Sequence, residues 1–365
     1  MIKVLIIFGT RPEVIKLYPL IELLKEDKDF DLKILNTGQH KEMVNELLNI
    51  FNIKPHYSLN IMIEKQSLEH ITKEVIDGVS KILKEEKFDI VIVQGDTTTT
   101  FISSLTSFYY KIPIGHVEAG LRTNNMYYPF PEEMNRTLVG KLASLHFAPT
   151  ESAKNNLLRE GVNKDKIFVT GNTIVDAVQK ILNFKINFKM DLPDDKKIIT
   201  VTAHRRESWE NGLSRIGNAI KTLSEKYEDL FFVIPIHKNP VVREKIVPIL
   251  KGVENILITE PLDYVTFIHL LKKSFIILSD SGGIQEEAPT INKPVLLLRN
   301  ETERPEGVKT GFVRIVGTDE KRIFENVKDI IENGWKPVYN YNPFGDGKAS
   351  ERIKNIIKEY FYGSI

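Results

Sequence analysis

Residues 277–307 combine a glycine-rich turn and two adjacent acids between two apolar runs. The first run ends at the turn Ser279–Gly283, the acids Glu286 and Glu287 follow in a helix-like stretch, and the second run is 294–298. A strand, a glycine turn and a helix in this order bind phosphate, because the glycines let the backbone come close and the helix N-terminus offers free N–H groups. An acid about one turn into the helix can then hold a ribose hydroxyl pair. This stretch predicts nucleotide binding in the second half of the chain.

The turn Gly9–Glu13 follows the first apolar run of the chain. Thr10 and Glu13 have the spacing of a capping box, which would be a structural feature. Arg11 is a cation in the first turn of a helix, where it opposes the helix dipole, so it indicates a bound anion such as a diphosphate. The GxGxxG fingerprint is absent from this turn, which argues against a nicotinamide cofactor.

Two acids follow later predicted strands of the first half. Asp96 lies in the segment 94–100, where either Asp96 or Thr97 could cap the next helix, and we leave capping and catalysis open for Asp96. Glu118 ends the strand predicted at 113–117. Acids are rarely buried without partners, so we favour a site role for Glu118 over a surface salt bridge to Arg122.

A third acidic segment, 129–136, opens a helix with Glu132 and Glu133 side by side. Acids in the first turn are ordinary partners of the helix dipole, so one of the two is expected to have that role. The flanking Pro129 and Pro131 fix a rigid loop, which suits a carboxylate that must be positioned.

Basic residues follow strands of the second half. His204, Arg205 and Arg206 end its first strand, and arginines bind phosphate through a planar fork. His237 and Lys238 follow the next strand and form a less specific pattern. The eight histidines form no HExxH or close histidine–acid pattern, so we expect no metal site. The sequence also lacks a GxSxG elbow and a P-loop, which argues against serine hydrolases and P-loop enzymes.

Apolar runs of strand length alternate with stretches of helical periodicity along the whole chain, as in a parallel sheet covered on both faces. In the first half the predicted strands are 4–8, 32–36, 90–94, 113–117, 145–148 and 167–170, with helices at 14–26, 41–49 and 68–83. In the second half the predicted strands are 198–202, 230–235, 256–259, 275–279, 294–298 and 312–316, with a last helix at 349–361.

This pattern predicts an α/β protein of two Rossmann-like doubly wound domains that face a cleft, with ligands at the carboxyl ends of the strands. A chain of 365 residues is long for one core. We place the first domain at 1–171 and the second at 172–346, and we expect the helix in 347–365 to pack back on the first. The polar, aperiodic segment 183–197 marks the crossover region.

Composition limits the possible partners. The net charge of +1, from 50 basic and 49 acidic residues, gives no sign of a nucleic-acid-binding arm. There is no cysteine, which excludes disulfides and thiolate metal sites. The N-terminal apolar run is too short for a signal peptide, and no run reaches the roughly eighteen residues of a membrane span. We therefore expect a cytoplasmic protein that binds neither nucleic acid nor membranes.

Taken together, these segments resemble the non-hydrolysing UDP-N-acetylglucosamine 2-epimerases. The matching stretches run in order from residue 9 to about 307: GTRPEVIKLYPL, TGQHKEM, QGDTTTT, GHVEAGLRT, YPFPEEMNRT, VTGNTIVDA, TAHRRES, IPIHKNP, DSGGIQEEAP and TERPEG. The resemblance implies a glycosyltransferase-B-like fold. It also implies reversible conversion of UDP-GlcNAc to UDP-ManNAc through loss of UDP, a 2-acetamidoglucal intermediate and re-addition, usually by a homodimer without a metal or nicotinamide cofactor.

The resemblance assigns the sugar and the catalytic carboxylates to the domain 1–171 and UDP to the domain 172–346. It also implies roles for single residues. Asp96, Glu118 and Glu132 would be the catalytic carboxylates, and His204 would assist with leaving-group charge or proton transfer. Arg11 and Arg205 are candidates for the diphosphate, Glu287 for the ribose and Phe267 for the uracil. The implied substrate-binding set is Arg11, Lys16, Arg136, Arg205, His237, Phe267, Ser281, Gly282, Gly283, Glu287 and Arg304.

Regulation and reaction type leave alternatives open. Bacterial members of the family are regulated by a second UDP-GlcNAc molecule, and Gln39, His40 and His237 lie in motifs that match that region. A hydrolysing 2-epimerase would share the fold but release free ManNAc and UDP. A glycosyltransferase of the same fold would need an acceptor groove, which no stretch of the sequence identifies. A nucleotide-sugar sensor without catalysis would have no use for three carboxylates at strand ends.

Overall fold

The computed structural model describes residues 1–186, 188 and 190–363 of the chain. Within the crossover segment 183–197 and the C-terminal segment 347–365 of the sequence analysis, Asn187, Lys189, Ser364 and Ile365 lie outside the described residues. The chain forms two compact units. The first unit is Met1–Ala177 together with the segment that begins at Phe344, and the second is Val178–Pro343.

The first unit contains a seven-stranded parallel sheet in the order β3-β2-β1-β4-β5-β6-β7. Its strands are β1 (Ile2–Phe8), β2 (Phe30–Asn36), β3 (Tyr57–Ser58), β4 (Ile90–Gln94), β5 (Ile114–Val117), β6 (Leu145–Ala148) and β7 (Ile167–Val169). The helices between them are α1 (Arg11–Glu26), α2 (Lys41–Ile50), α3 (Leu68–Glu85), α4 (Thr98–Tyr109), α5 (Glu132–Leu142) and α6 (Glu151–Arg159). After β7 follows α7 (Thr173–Leu182).

The second unit contains a six-stranded parallel sheet in the order β10-β9-β8-β11-β12-β13. Its strands are β8 (Lys197–Thr202), β9 (Leu230–Pro235), β10 (Ile256–Thr259), β11 (Ile276–Ser279), β12 (Val295–Leu297) and β13 (Val313–Ile315). The helices are α8 (Gly212–Lys226), α9 (Pro240–Leu250), α10 (Tyr264–Lys273), α11 (Gly282–Ile291), α12 (Pro305–Lys309) and α13 (Glu320–Asn333).

The predicted fold class is confirmed, because each unit is a parallel sheet with helices in its crossovers. The central strands are continuous apolar runs that are buried along their whole length, as in β4 and β11. Such strands cannot face water on either side, so helices must cover both faces. The predicted strands lie within about three residues of the observed ones. The two-residue β3 was not predicted, because so short a strand carries no periodicity.

Strand order explains where a ligand can bind in each unit. In the first sheet the chain runs outward from β1 to β2 and β3, and then returns to place β4 on the other side of β1. In the second sheet β8 likewise lies between β9 and β11. Such a reversal opens a crevice at the carboxyl ends of the two central strands. The turns after β1 and β4, and those after β8 and β11, carry the motifs found in the sequence.

The last helix, α14 (Ala349–Tyr362), belongs to the first unit. Lys358 of α14 donates to Asp27 at the end of α1 at 3.0 Å. At the other end of α14, the Asp176 carboxylate of α7 accepts the backbone N–H groups of Ala349 at 3.2 Å and Ser350 at 2.7 Å.

A search of the described residues for membrane spans found no helix that combines the length and the apolar character that a span needs.

Candidate active site

Glu118 lies directly after β5 and has the most elaborate surroundings of the predicted acids. Its Oε2 forms an ion pair with Lys16 of α1 and accepts the side-chain amide of Asn172 at 2.9 Å. Its Oε1 accepts the amide of Gln94, the last residue of β4, at 3.1 Å. The backbone of Glu118 has φ of 67°, a left-handed conformation that is uncommon for a residue other than glycine. Such strain concentrates at functional sites, and here it accompanies a carboxylate held by donors from α1, β4 and the segment after β7.

The salt bridge considered between Glu118 and Arg122 is not formed. Arg122 instead makes a two-pronged ion pair with Glu160, with Nε and Nη2 at 2.6 Å and 2.9 Å from the carboxylate oxygens. The planar fork of the guanidinium fits both oxygens of one carboxylate. Arg122 therefore anchors the loop after β5 to the end of α6 and leaves Glu118 to its own partners.

Asp96 does not cap the helix that follows it. The cap of α4 is Thr97, whose Oγ1 accepts the N–H of Thr100 at 3.0 Å. The Asp96 carboxylate pairs with Arg136 of α5, and the Asp96 carbonyl accepts the side-chain amide of Asn135 at 2.9 Å. Thr97, and not Asp96, therefore has the capping role. Asp96 is only partly exposed.

The adjacent acids Glu132 and Glu133 have different surroundings. Glu133 is 2% exposed, and its carboxylate accepts the backbone N–H groups of Thr123 at 3.0 Å and Asn124 at 2.9 Å. It thus holds the loop after β5 against the start of α5. Glu132 is the first residue of α5 and is partly exposed. Since residues four apart lie on one face of a helix, Glu132 shares a face with Arg136, the partner of Asp96.

Glu13 has a larger role than the predicted capping box. Its carboxylate accepts the N–H of Thr10 at 2.7 Å, which is the glutamate half of that box. It also accepts the hydroxyls of Thr97 and Thr100, both at 2.9 Å, and so joins the turn after β1 to the turn after β4. Burial raises the pKa of Glu13, against the lowering effect of these hydrogen bonds. Arg11, next to this junction, is the first residue of α1 and is partly exposed.

Gln39 and His40 lie at the same junction. The Gln39 side-chain oxygen accepts the hydroxyl of Thr99 at 2.8 Å, and the backbone N–H of His40 donates to the Gly9 carbonyl at 2.8 Å. Burial lowers the pKa of His40. The turn after β2 therefore lies against the turn after β1, which carries Arg11.

His116 is a residue whose role the sequence reasoning missed. It is fully buried in β5, and its Nε2 lies 2.7 Å from the carbonyl oxygen of Gly95. Burial lowers the pKa of His116 to about 3, so the ring is neutral at physiological pH. A neutral imidazole whose Nε2 carries the hydrogen donates to this carbonyl and fixes the peptide before Asp96. The signal in the sequence was a histidine inside an apolar strand.

In the second unit, the buried Asp280 after β11 organises the basic turn after β8. One oxygen of Asp280 accepts the backbone N–H groups of His204 at 2.7 Å and Arg205 at 2.8 Å. Its other oxygen lies 3.4 Å from Nδ1 of His204. Asp280 is fully buried, while the His204 side chain is 38% exposed. The sequence reasoning named His204 and Arg205 but gave Asp280 no role.

His237, after β9, stacks on His204 with ring centroids 5.1 Å apart and an angle of 10° between the planes. The N–H of Asn239 donates to Nδ1 of His237 at 3.1 Å. Burial lowers the pKa of His237, and the neighbouring His204 lowers it further. These contacts place His237 beside the turn that carries His204 and Arg205.

The predicted phosphate-binding turn opens α11, with Ser281 at the N-cap and Gly282 and Gly283 in the first turn. The Arg304 guanidinium lies over this turn, because a Cβ at Gly282 would lie 2.9 Å from Nη1 of Arg304. Nε of Arg304 also donates to Glu286 at 2.5 Å. A helix N-terminus next to a guanidinium favours an anion.

The two residues expected to contact the nucleoside lie on neighbouring helices. Glu287 of α11 is 6% exposed and accepts the hydroxyl of Tyr264 at 2.8 Å. Phe267 lies one turn after Tyr264 on α10 and is partly exposed. The acid and the aromatic ring expected for ribose and uracil are therefore on helices that pack together.

No group of three or more histidine, aspartate or glutamate side chains suited to a metal ion occurs within the described residues.

Comparison with known proteins decides the family. The family model described as UDP-N-acetylglucosamine 2-epimerase matches residues 22–358. The chain belongs to the UDP-N-acetylglucosamine 2-epimerase family. The family predicted from the motifs is thereby confirmed, and its enzymes are isomerases.

Relatives in this family match over nearly the full chain. The UDP-N-acetylglucosamine 2-epimerase of Escherichia coli K12 is 47% identical over 98% of this chain and 98% of its own. The crystal structure of the Neisseria meningitidis UDP-GlcNAc 2-epimerase bound to UDP-GlcNAc has a TM-score of 0.90 and 46% identity, and covers 98% of this chain and 100% of its own. The Methanocaldococcus jannaschii enzyme, solved with UDP-GlcNAc and UDP, has a TM-score of 0.82 and 38% identity, and covers 98% and 99%.

Proposed function

We propose that this chain interconverts UDP-GlcNAc and UDP-ManNAc by removing and returning the proton at C2, without releasing the sugar. The observation that carries the proposal is the Glu118 carboxylate. Lys16, Asn172 and Gln94 bind this carboxylate, and the backbone of Glu118 has a positive φ. Glu118 lies at the same sheet edge as Asp96. The solved relatives bound to UDP-GlcNAc support the choice of substrate.

The chemistry begins with the bond from C1 to the diphosphate. The C2 proton of the substrate is not next to a carbonyl, so a side chain cannot remove it directly at an accessible cost. When the C1–O bond breaks, UDP leaves with the electron pair and an oxocarbenium-like centre develops at C1, which makes the C2 proton acidic. A carboxylate takes that proton and the C1–C2 double bond of 2-acetamidoglucal forms.

The second half of the reaction reverses these bonds on the other face of C2. A proton returns to C2 from the opposite face, the positive centre at C1 forms again, and the diphosphate oxygen of UDP adds to it. We assign these proton transfers to Asp96, Glu118 and Glu132 as a group. Arg136 and Lys16 form ion pairs with Asp96 and Glu118 and so hold these two carboxylates at the sheet edge where β4 and β5 end.

We assign the nucleotide to the second unit. The N–H groups at the start of α11, from Ser281, Gly282 and Gly283, would bind phosphate oxygens with Arg205 and Arg304. Glu287 would accept the ribose hydroxyls and Phe267 would stack on the uracil. His204, whose backbone N–H donates to Asp280, would donate from its ring to the departing diphosphate, because stabilising the charge that develops there lowers the barrier to C1–O cleavage.

We further propose that Gln39 and His40 contribute to binding of a second, regulatory nucleotide sugar. Their contacts with Thr99 and Gly9 place them beside the turn that carries Arg11, a cation suited to a diphosphate. The test is the dependence of rate on UDP-GlcNAc concentration. A sigmoidal curve that becomes hyperbolic in Gln39→Ala supports the proposal, and a hyperbolic wild-type curve contradicts it.

Following the family resemblance, we propose a homodimer as the working assembly. Light scattering coupled to size exclusion tests this directly. A mass twice that of one chain is expected, and a monomer at micromolar concentration that retains full activity contradicts the proposal.

Product analysis tests the proposed reaction against its closest rivals. The chain is incubated with UDP-GlcNAc alone, and the products are separated by anion exchange, with Glu118→Gln as the inactive control. A mixture of UDP-GlcNAc and UDP-ManNAc is expected. Free ManNAc with UDP would instead identify a hydrolysing epimerase. Unchanged UDP-GlcNAc would favour a glycosyltransferase that lacks its acceptor.

A further inference from the structure

Asn172 lies between β7 and α7 and is 3% exposed. Its Nδ2 donates to Oε2 of Glu118 at 2.9 Å, and its Oδ1 accepts the N–H of Ile174 at 3.1 Å. Only the amide oxygen can accept from Ile174, so the amide nitrogen must be the atom that faces the carboxylate. The orientation of the side chain is thus determined at both ends.

The backbone of this residue is fixed by the segment that returns to the first unit. The N–H of Asn172 donates to the Phe344 carbonyl at 2.7 Å. The preceding Gly171, with φ of 89°, lies against Gly345, since a Cβ at Gly171 would lie 3.4 Å from the Cα of Gly345. A Cβ at Gly345 would lie 3.2 Å from the Cα of Gly171, which is tighter than an ordinary contact. The position of Asn172 therefore depends on the segment 344–345.

The helix α14 forms a second set of hydrogen bonds with the same region. Asp176 of α7 accepts the first N–H groups of α14, those of Ala349 and Ser350. The Arg352 guanidinium of α14 donates to the Thr170 carbonyl at 3.0 Å. The residues on either side of Asn172 are therefore attached to α14.

Glu118 accepts from side chains that differ in rigidity. Lys16 of α1 brings a positive charge on a flexible four-carbon side chain, and Gln94 of β4 brings a neutral amide to Oε1. Asn172 has a short side chain that is bonded at both ends, on a backbone held from outside. It is therefore suited to set the direction of the carboxylate, while Lys16 balances its charge.

We propose that Asn172 is the positioning residue that fixes Glu118 for proton transfer, and that the segment 344–352 holds it there. This inference rests on the proposed function, in which Glu118 handles the C2 proton. Asn172 itself acts only through Glu118. Removal of the Asn172 amide takes away the most rigid of these contacts, while Lys16 and Gln94 still bind the carboxylate.

The test is Asn172→Asp, which keeps an oxygen that accepts from Ile174 but replaces the donor to Glu118 with a second carboxylate. The kcat is expected to fall by about tenfold or more, with KM changed by less than about threefold, because proton transfer and not binding is affected. The acid limb of the kcat profile is expected to move to higher pH by about one unit, because like charges disfavour ionisation. The charged group facing Glu118 from α1, Lys16, is unchanged in this variant.

A matched control is Asn255→Asp, at a buried asparagine of the second unit that donates to the carbonyls of Ser224 and Leu230. It is expected to lower the melting temperature without moving the acid limb. If Asn172→Asp behaves in the same way, or keeps the wild-type kcat and pH profile, the positioning role is overturned.

A second measurement separates this inference from the proposed function. The titration of Glu118 is followed by NMR with carboxyl-labelled glutamate, the signal being assigned with Glu118→Gln. A higher Glu118 pKa in Asn172→Asp than in the wild type supports the positioning role whether or not the chain epimerises UDP-GlcNAc. An unchanged titration overturns the positioning role. An inactive wild type with an altered titration overturns only the proposed function.

Discussion

Lys16 and Glu118, which are 102 positions apart in the sequence, form an ion pair whose side chains are only 10% and 8% exposed. A buried charge that loses its partner is strongly destabilised. The sequence resemblance placed Lys16 among substrate-binding residues, and the ion pair adds a direct link to the acid that we assign to the C2 proton.

Lys16→Met is therefore expected to lower kcat by at least about tenfold. It is also expected to lower the free energy of unfolding by roughly 3 kcal/mol. This is the lower end of the range for a broken buried ion pair, because Gln94 and Asn172 still bind Glu118. Steady-state kinetics and urea unfolding measure both. The control is Lys154→Met, which breaks a surface pair with Glu151 worth less than about 1 kcal/mol. A Lys16→Met variant that changes only KM would assign Lys16 to substrate binding alone.

Each of the three proposed catalytic acids is expected to be essential. Asp96→Asn, Glu118→Gln and Glu132→Gln keep side-chain shape but remove the ability to take a proton at neutral pH. Each should reduce kcat by at least about a hundredfold, the usual scale for a general acid or base. Glu151→Gln, at an exposed acid in the first turn of α6, is the matched control and should stay near the wild-type rate. Near-normal rates in all three variants would remove these acids from the mechanism.

The adjacent acids Glu132 and Glu133 should separate activity from stability. Glu133→Gln weakens the hydrogen bonds to Thr123 and Asn124 and removes the charge that pairs with Arg136 at 3.3 Å. It is therefore expected to lower the unfolding free energy by about 1–3 kcal/mol. Glu132→Gln should lower the unfolding free energy by less than Glu133→Gln does, because Glu132 is the more exposed of the two. Thermal unfolding and turnover of the two variants would be compared. An unstable Glu132→Gln and a stable Glu133→Gln would reverse the assignment.

His146 of β6 provides a prediction for the pH dependence of stability. Burial lowers the pKa of His146 to about 4. Below the ordinary histidine pKa of about 6.5 the unfolded chain binds a proton that the folded chain does not, so stability is full above that pH and is lost as pH falls toward 4. Relative to His146→Gln, the free energy of unfolding of the wild type should fall by about 2 kcal/mol between pH 7 and pH 5. Urea unfolding of both proteins at both pH values measures this. The same difference in unfolding free energy between the two proteins at pH 7 and at pH 5 would contradict the prediction.

The secondary structure and the site segments could be predicted from the sequence because they depend on local patterns. Continuous apolar runs such as Ile90–Gln94 can be recognised without knowledge of the tertiary structure, and the glycine turn after Ser279 can be recognised from its residue types alone. The family resemblance extended this to named residues. The order of strands in each sheet, by contrast, came from the structure.

The partners of the site residues could not be predicted in this way. Asp96 pairs with Arg136, and Glu118 pairs with Lys16. The partners are far apart in the sequence, so no helical or strand periodicity could indicate these pairs. The one nearby partner that was considered, Arg122, belongs to Glu160. Asp280 was seen only as part of a glycine turn, because its bonds to the backbone of His204 depend on β8 and β11 being neighbours.

One measurement tests the central claim most directly: proton NMR of UDP-GlcNAc incubated with the protein in heavy water. If the C2 proton leaves to a carboxylate and is replaced from solvent, the C2 signal must disappear as UDP-ManNAc appears, and mass spectrometry must find one deuterium in the product. UDP-ManNAc that forms with its C2 proton retained would contradict the account, since the proton would then never have left the sugar.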